Sequence, residues 1–438
     1  MERGLVRSLQ GAGLALAALA AVVVWMTAPR VWLAASPLLA GWLLFTRPGR
    51  QTLAIVASGL STVPQRVGGT SVIVVGIAGV VAVLVALLSM AAGFEATLRQ
   101  SGSDDMAIVL RAGANAEVSS GLERADATLI AQAPGVQRDA RGRPLASPEV
   151  VVIANVPLRA SGTDANVAVR GVGAGVWDVR PGVTLVAGRR FQPGVRELMV
   201  GEGALRQFAG LEPGAEIRLN NQAWRIVGVF ASGDAHDSEL WGDAESVATA
   251  YRRNGFQSVT LRLDSAQAVE RVRAALTGDP RLKVDVETTR AYYSKQSEQL
   301  ARLIRVLGTG VAIIMAIGAV FGAINTMYAA VAARAREIAT LRALGFTGLP
   351  VVAAVLLEAM LLALAGGALG AAVAYALFHG YTVSTLGGNF SQVVFQFRVT
   401  PTLLAQGLQW ALGLGFLGGL LPALRAARLP ITVALRES

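Results

Sequence analysis

Charged residues punctuate this chain so unevenly that the gaps between them outline its architecture. Positions 67–94 form an uncharged run of 28, 306–333 another of 28, and 399–424 one of 26. A fourth run, 359–397, is 39 long, and its first half is strongly apolar. A helix rises about 1.5 Å per residue and a bilayer core is about 30 Å thick, so about 20 apolar residues cross it. All four runs reach that length, whereas buried helices of soluble proteins seldom run so far without a charge. The predicted spans are Ser71–Ala92, Val306–Ala330, Pro350–Phe378 and Leu403–Leu421.

Two further runs precede these, 8–29 with 22 uncharged positions and 31–46 with 16, separated at Pro29-Arg30. The first is long enough to span and the second is borderline. Arg3 and Arg7 ahead of an apolar stretch also fit a leader peptide. The apolar stretch outlasts a leader core, however, and a second follows at once. A retained transmembrane hairpin over 1–47 is therefore expected, with a cleaved leader or an interfacial hairpin as the alternatives. A cytoplasmic amphipathic segment, 48–69, should follow it.

Between Phe94 and Arg302 the pattern changes. Pro134-Gly135, Pro181-Gly182, Pro193-Gly194 and Pro213-Gly214 mark turns. Short β-rich runs lie between such turns, at Met106–Arg111, Glu149–Asn155, Asn166–Val172, Ala215–Leu219, Arg225–Phe230 and Ser258–Leu263. Helical patches interleave at Glu123–Ala133 and Ala266–Leu276. The fold class is thus an α-helical membrane protein, four long transmembrane helices plus the hairpin. A large extracytoplasmic α+β domain is inserted between the first and second long helices. The expected boundaries are spans at 70–93, 303–332, 348–379 and 402–424, and the soluble domain at 94–302. A cytoplasmic link at 333–347, an outer loop at 380–401 and a tail at 425–438 complete the chain.

Composition agrees: the 438 residues are 53% hydrophobic and only 16% charged, with mean hydropathy +0.51. The net charge of +10 suggests an anionic partner until it is divided by region. Residues 94–302 carry 25 basic and 25 acidic side chains, so the remaining 14 basic and 4 acidic ones supply the whole excess. Eleven of those arginines fall in four clusters at alternate ends of the spans: Arg3/Arg7, Arg47/Arg50/Arg66, Arg334/Arg336/Arg342 and Arg425/Arg428/Arg436. Short Arg-rich loops stay cytoplasmic. Both termini are therefore expected inside and 94–302 outside, with the lipid bilayer as partner and no nucleic acid.

Chemistry is sparse. Without cysteine there is no disulfide scaffold, thiolate metal site or cysteine nucleophile. No phosphate-binding G-x-x-x-x-G-K-[ST], H-E-x-x-H or G-x-S-x-G occurs, so no catalytic, cofactor-binding or metal residues are assigned. Asp234-Ala-His236-Asp237 reads better as a solvated turn than as a metal site, because no fourth ligand is fixed. His379 reads as an interfacial, hydrogen-bonded histidine, and Asn389-Phe-Ser391 as a chance sequon. Gly318/Gly322, Gly366/Gly370 and Gly415/Gly419 have the small-residue spacing that lets membrane helices approach closely, within the chain or in a second subunit. Glu358 is the one carboxylate well inside a span; a bundle hydrogen bond is its expected use, and a relay or substrate contact the alternative.

The link 333–347 reads Ala333-Arg-Ala-Arg336-Glu337-Ile338-Ala-Thr340-Leu341-Arg342-Ala-Leu344-Gly345-Phe346. Ile338, Leu341 and Leu344 recur on one side of a short helix, Arg336, Glu337 and Arg342 point elsewhere, and Gly345 can cap it. Such a helix suits docking to a protein partner, or lying on the membrane surface.

The R-E-I-x-x-L-R-A-L-G pattern after a Gly-rich span resembles the FtsX-like permease family of ABC transporters. Phe94-Glu-Ala-Thr-Leu after the first long span, Leu357-Glu358, Gly366-Gly-Ala-Leu-Gly370 and the tail from Pro422 through Pro430 to Arg436 are similar too. Residues 94–302 look like a MacB-type periplasmic core domain, through Gly171-Val, Leu185-Val-Ala-Gly188-Arg189 with Phe191, Gly214-Ala-Glu-Ile and Ile226-Val-Gly228-Val. The resemblance covers about 49–438. It implies a type VII, mechanotransmission permease of the inner membrane with no cofactor in this chain. A separate cytoplasmic ABC ATPase would bind ATP and Mg and dock on Arg336, Glu337, Ile338, Leu341, Arg342, Leu344 and Gly345. A second permease subunit (a homo- or heterodimer), and a periplasmic adaptor or lipoprotein carrier, are the further partners implied. Export, efflux or lipoprotein handling would be the role, with signalling to a periplasmic cell-wall enzyme as the alternative. The chain departs from the family's four-span plan in the apparent hairpin at 1–46 and lacks a fused nucleotide-binding domain.

Overall fold

The computed structural model describes residues 29–387 and 391–430. Residues 1–28 of the expected hairpin, Asn389 of the sequon and the end of the tail, with Arg436, lie outside those residues. The chain divides into a helical unit (1–89, 304–379 and 398–438) and an α+β unit (90–303 and 380–397).

Among the described residues the helical unit carries the helices α1 Pro29–Phe45, α2 Arg47–Ser61, α3 Val67–Gln100, α4 Thr289–Ala333, α5 Ala335–Ala343, α6 Gly348–Phe378 and α7 Pro401–Arg428. Among the described residues four of them, α3, α4, α6 and α7, are long and apolar enough to cross a membrane. All four drawn spans fall inside them. Thr46 separates α1 from α2: it is extended, and its hydroxyl accepts the Gly49 N–H, an N-cap that restarts the helix.

Two helices outrun their spans on the side of the α+β unit's portion of the chain. α3 continues past Ala92 to Gln100, and α4 begins at Thr289, well before the expected 303. The early part of α4 is held by a buried stripe, Thr289, Tyr292, Tyr293, Ser297 and Ala301, at helical spacing. Charge ends a membrane span without ending a helix, so a search for uncharged runs underestimates both.

Small residues set the packing. A Cβ at Gly366 would stand 2.7 Å from the Val74 carbonyl oxygen, and one at Gly370 2.3 Å from that of Ala78. On α7, Gly415 and Gly419 would meet the Ala363 and Ala359 side chains at 2.5 and 2.6 Å. These four glycines bring α6 against α3 and α7 against α6. Gly318 and Gly322 do not act this way among the described residues. A Cβ at Gly318 would meet nothing within 4 Å, and one at Gly322 would only touch Val72 at 4.0 Å. Their neighbours Ile314, Ile317 and Phe321 are exposed.

In the α+β unit the order of the main sheet is β10-β1-β9-β2-β3-β8-β5-β7-β4, with β6 also on β7. The strands are β1 Met106–Arg111, β2 Ala146–Pro157, β3 Asp164–Val172, β4 Thr184–Gly188, β5 Glu197–Gly201, β6 Glu216–Leu219, β7 Gln222–Ala231, β8 Glu239–Asp243, β9 Ser258–Arg262 and β10 Val284–Thr288. Only β3/β8 and β5/β7 are parallel. The six strands expected are present, and β4, β5, β8 and β10 are additional.

Side chains alternate across the sheet. Val150, Val152, Val167, Val169, Leu240 and Val259 enter one aliphatic core, while Glu149, Arg170, Glu239, Ser258 and Thr260 are buried outside it. The expected loop at 380–401 is instead largely a hairpin, β11 Thr382–Leu386 with β12 Gln392–Gln396. Val393, Phe395 and Phe397 alternate inward, and Phe395 meets Phe94 edge-on at 5.5 Å. Gly93 permits that approach, since its Cβ would lie 2.1 Å from the Gln396 carbonyl oxygen.

Candidate functional site

The link between α4 and α6 is a helix, α5, and Gly345 caps it. Gly345 has φ +97, its N–H meets the Arg342 carbonyl, and Phe346 N–H meets that of Leu341. That left-handed turn is the kind glycine adopts without strain.

The seven residues assigned to docking divide in two. Ile338 is buried in the helical unit's core, and Leu341 packs against it. Arg342 donates to the Leu429 carbonyl at 2.5 Å. Glu337 turns inward to accept from Arg334 at 3.0 and 3.2 Å and from the Ser58 hydroxyl at 2.6 Å. The Arg334 hydrogen bond is the main reason its carboxyl sits below the usual range, against a raising effect of burial. Arg336, Leu344 and Gly345 are exposed, as is Leu349 just beyond. One side of α5 thus anchors the link and the other is open.

The anchor is an ionic cluster. Arg334 stands at the N-cap of α5 and reaches Glu358 Oε2 of α6 at 3.0 Å. Arg66, just before α3, lies 3.7 Å from Glu358 Oε1. Gly59 of α2 completes the enclosure: a Cβ there would crowd both Arg334 Nη1 and Glu358 Oε2 at 2.7 Å. Glu358 is only 5% exposed. Its carboxyl stands level with arginines at the start of α3 and the end of α4, which explains how α6 tolerates an acid. Sequence reasoning missed Ser58, Gly59, Arg66 and Arg334 as its neighbours. The available signal was the scarcity of acids outside 94–302, since an acid inside a span, Glu358, needs a cation.

A second cluster lies in the α+β unit. Arg170, 1% exposed, donates to Glu117, Glu149 and Glu239 at 2.7–3.0 Å. Arg180 also pairs with Glu149. Burial alone would raise the Glu149 carboxyl, but Arg180 and Arg170 bring it down to about 2. His236 is buried, with Nδ1 2.9 Å from Asp234 and Nε2 3.1 Å from the Tyr293 hydroxyl. His379 stacks on Tyr375 with centroids 4.7 Å apart.

Residues 70–279 match the MacB-like periplasmic core domain, and residues 309–431 the FtsX-like permease C-terminal domain. Together these cover most of the chain, in the order that the helices and sheet require. The chain belongs to the FtsX/MacB-type ABC transporter permeases. It is 26% identical over 333 residues to the macrolide export ATP-binding/permease protein MacB of Rhodopseudomonas palustris, covering 72% of this chain and 48% of that protein. Against MacB of Photorhabdus laumondii the figures are 29% identity, 51% and 35%. The permease spans about half the length, or less, of the curated relatives it matches. Solved structures with a similar region include the periplasmic region of MacB from Actinobacillus actinomycetemcomitans and the extracellular domain of the noncanonic ABC-type transporter YknZ from Gram-positive bacteria. The first has TM-score 0.33 at 15% identity, over 45% of this chain and 94% of that one. The second has TM-score 0.32 at 16%, over 42% and 100%. Four membrane-capable helices in an ABC permease indicate an inner-membrane protein, and such permeases work with an ATPase.

Proposed function

We propose that this chain is the non-catalytic transmembrane subunit of an ABC transporter, driven by a separate cytoplasmic ATPase that binds the ATP and Mg. The observation that carries the reading is the divided α5 link. Its Ile338 side is locked into the helical unit, and its Arg336–Leu344–Gly345 side is free. A lever needs both, one face fixed to the part that moves and one face offered to the motor.

The described part of the arginine pattern supports cytoplasmic termini: Arg47, Arg50, Arg336, Arg425 and Arg428 are all exposed. α3 and α4 each run without a break from the helical unit's portion of the chain into the α+β unit's portion. A continuous helix transmits displacement better than a loop does, so these two are the proposed transmission elements. The outcome is a conformational change in the periplasmic domain that serves export, efflux or lipoprotein handling. A second permease subunit completes the transporter, and a periplasmic adaptor or lipoprotein carrier is the expected outer partner.

The test is co-purification with the ATPase from membranes. Leu344→Asp and Arg336→Glu should abolish or strongly reduce capture while the permease stays at wild-type level in the membrane, because neither side chain contributes to the core. Full capture by the double variant would refute docking at α5.

A further inference from the structure

The helical unit contains a cavity of about 340 Å3, lined by Arg66, Gly68, Gly69 and Ile73 of the α3 side, Thr326, Met327 and Ala330 of α4, and Glu358 and Leu362 of α6. It exists because small residues face it. A Cβ at Gly68 would meet nothing within 4 Å, and one at Gly69 only Thr326 Cγ2 at 3.3 Å. One end is polar and the rest apolar, the outline of an amphiphile.

The polar end offers two unused groups of opposite kind. Arg66 is fixed through Nη2, which donates to the Thr62 hydroxyl at 2.5 Å and the Gly59 carbonyl at 3.5 Å. Its Nε and Nη1 carry no hydrogen bond among the described residues; they lie on different sides of the guanidinium, so each offers single N–H donors to an oxyanion. Glu358 spends Oε2 on Arg334. Its Oε1, 3.7 Å from Arg66, is beyond hydrogen-bond range and accepts from no described group. Glu358 lines the cavity, so this oxygen can take a donor from there, and the nearest guanidinium does not supply one within hydrogen-bond range.

We infer that this cavity seats the head of a zwitterionic phospholipid with a primary ammonium, its phosphate on a free N–H of Arg66 and its ammonium donating to Glu358 Oε1. The acyl chain would follow Ile73, Met327 and Leu362. Charge decides among headgroups. The four ionic side chains Arg66, Arg334, Glu337 and Glu358 already balance, so a net anionic head leaves the site unbalanced, whereas a zwitterion does not. A quaternary ammonium carries the same charge but has no N–H to donate, so phosphatidylcholine satisfies Arg66 and leaves Oε1 bare. The seat makes Glu358 a lipid ligand and requires neither the ATPase nor docking at α5.

The test is native mass spectrometry on the delipidated full chain, titrated separately with phosphatidylethanolamine, phosphatidylcholine and phosphatidylglycerol. Wild type should form the one-lipid adduct with phosphatidylethanolamine at about tenfold lower concentration than with phosphatidylcholine, the worth of one charge-assisted hydrogen bond. Glu358→Gln should erase that preference and keep the phosphatidylcholine adduct, whereas Arg66→Gln should weaken both. Either variant disturbs an ion pair, so Gly68→Leu is the third arm: it fills the cavity, touches no charge, and should remove the adduct. Equal affinity of wild type for the three lipids, tighter binding of phosphatidylglycerol, or an unchanged adduct in Gly68→Leu would each overturn the assignment.

Discussion

The permease buries two sets of opposite charges, and they are built differently. Every N–H of the Arg170 side chain finds a carboxylate oxygen, and three acids from distant parts of the chain surround that guanidinium at 1% exposure, while the Nε of neighbouring Arg180 stays buried without a partner. Around Glu358 the pairing is looser: Oε1 holds Arg66 only as an ion pair at 3.7 Å, and the Nε and Nη1 of Arg66 make no hydrogen bond among the described residues, beside a cavity. A guanidinium enclosed by carboxylates with no space beside it specifies a structure, and an ion pair that lines a cavity has room for a ligand. On that distinction the periplasmic domain's cluster is scaffold and the helical unit's cluster is site.

The sharpest way to break the comparison is to remove Arg170. Arg170→Met deletes the only guanidinium that touches Glu117, Glu149 and Glu239 together, leaving Glu117 and Glu239 without an arginine while Glu149 keeps Arg180. The expected cost is about 3–5 kcal/mol, read as loss of the protease-resistant core within 94–302 in the full chain. Arg170→Lys should recover little, because one ammonium cannot reproduce three N–H directions in a plane. A Met variant as protease-resistant as wild type would mean that the cluster does not hold the sheet.

The next effect separates glycines that look alike in sequence. Gly370→Leu places a side chain where even a Cβ would lie 2.3 Å from the Ala78 carbonyl oxygen. Overpacking of that kind costs about 1–3 kcal/mol, measured as a lower melting temperature in detergent. Gly318→Ala enters open space and should leave the melt unchanged or raise it, since Ala favours helix over Gly by about 1 kcal/mol. If Gly318→Ala instead lowered the oligomeric state, that face would be a contact with the second subunit.

These contrasts also mark what one dimension could reveal. The spans were legible because lipid tolerates few charges, so gaps between arginines mark the bilayer directly. Most strands of the sheet were legible from alternation and Pro-Gly turns. β8, Glu-Leu-Trp-Gly-Asp, was not, because its ends are acids that a local reading assigns to solvent. Arg170 lies 53, 21 and 69 residues from Glu117, Glu149 and Glu239, and no local pattern links them. The open side of α5 was legible only in part. Ile338, Leu341 and Leu344 share a helical stripe, but which of them faces the core depends on α2, α6 and the segment after α7. Similarly, Glu358 stood out as a rare acid, while its level against Arg66 and Arg334 needed three helices in place.

The smallest expected effect concerns pH, and it tests whether the scaffold cluster extends to His236. Burial opposes the imidazolium, but Asp234 and Glu239 outweigh it and hold His236 above its ordinary value near 6.5, with Arg180 opposing. Burial would raise Asp234, yet His236 and Ser232 bring it down to about 2. The signs then differ at the two ends of the scale. A raised histidine contributes stability that is complete below about pH 6.5 and fades as pH rises through its higher folded value. The lowered carboxylates, Asp234 and Glu149, contribute stability that is complete above their ordinary values and fades as pH falls toward about 2. Thermal melts of the full chain should therefore decline above pH 6.5 by a small amount, on the order of 2 °C. His236→Gln should remove that alkaline decline and reduce the acid-side loss only where Asp234 depended on the imidazolium; Glu149, held by two arginines, should keep its share. A variant that retained the whole alkaline decline would place the titrating group elsewhere and confine the scaffold to the arginine pairs.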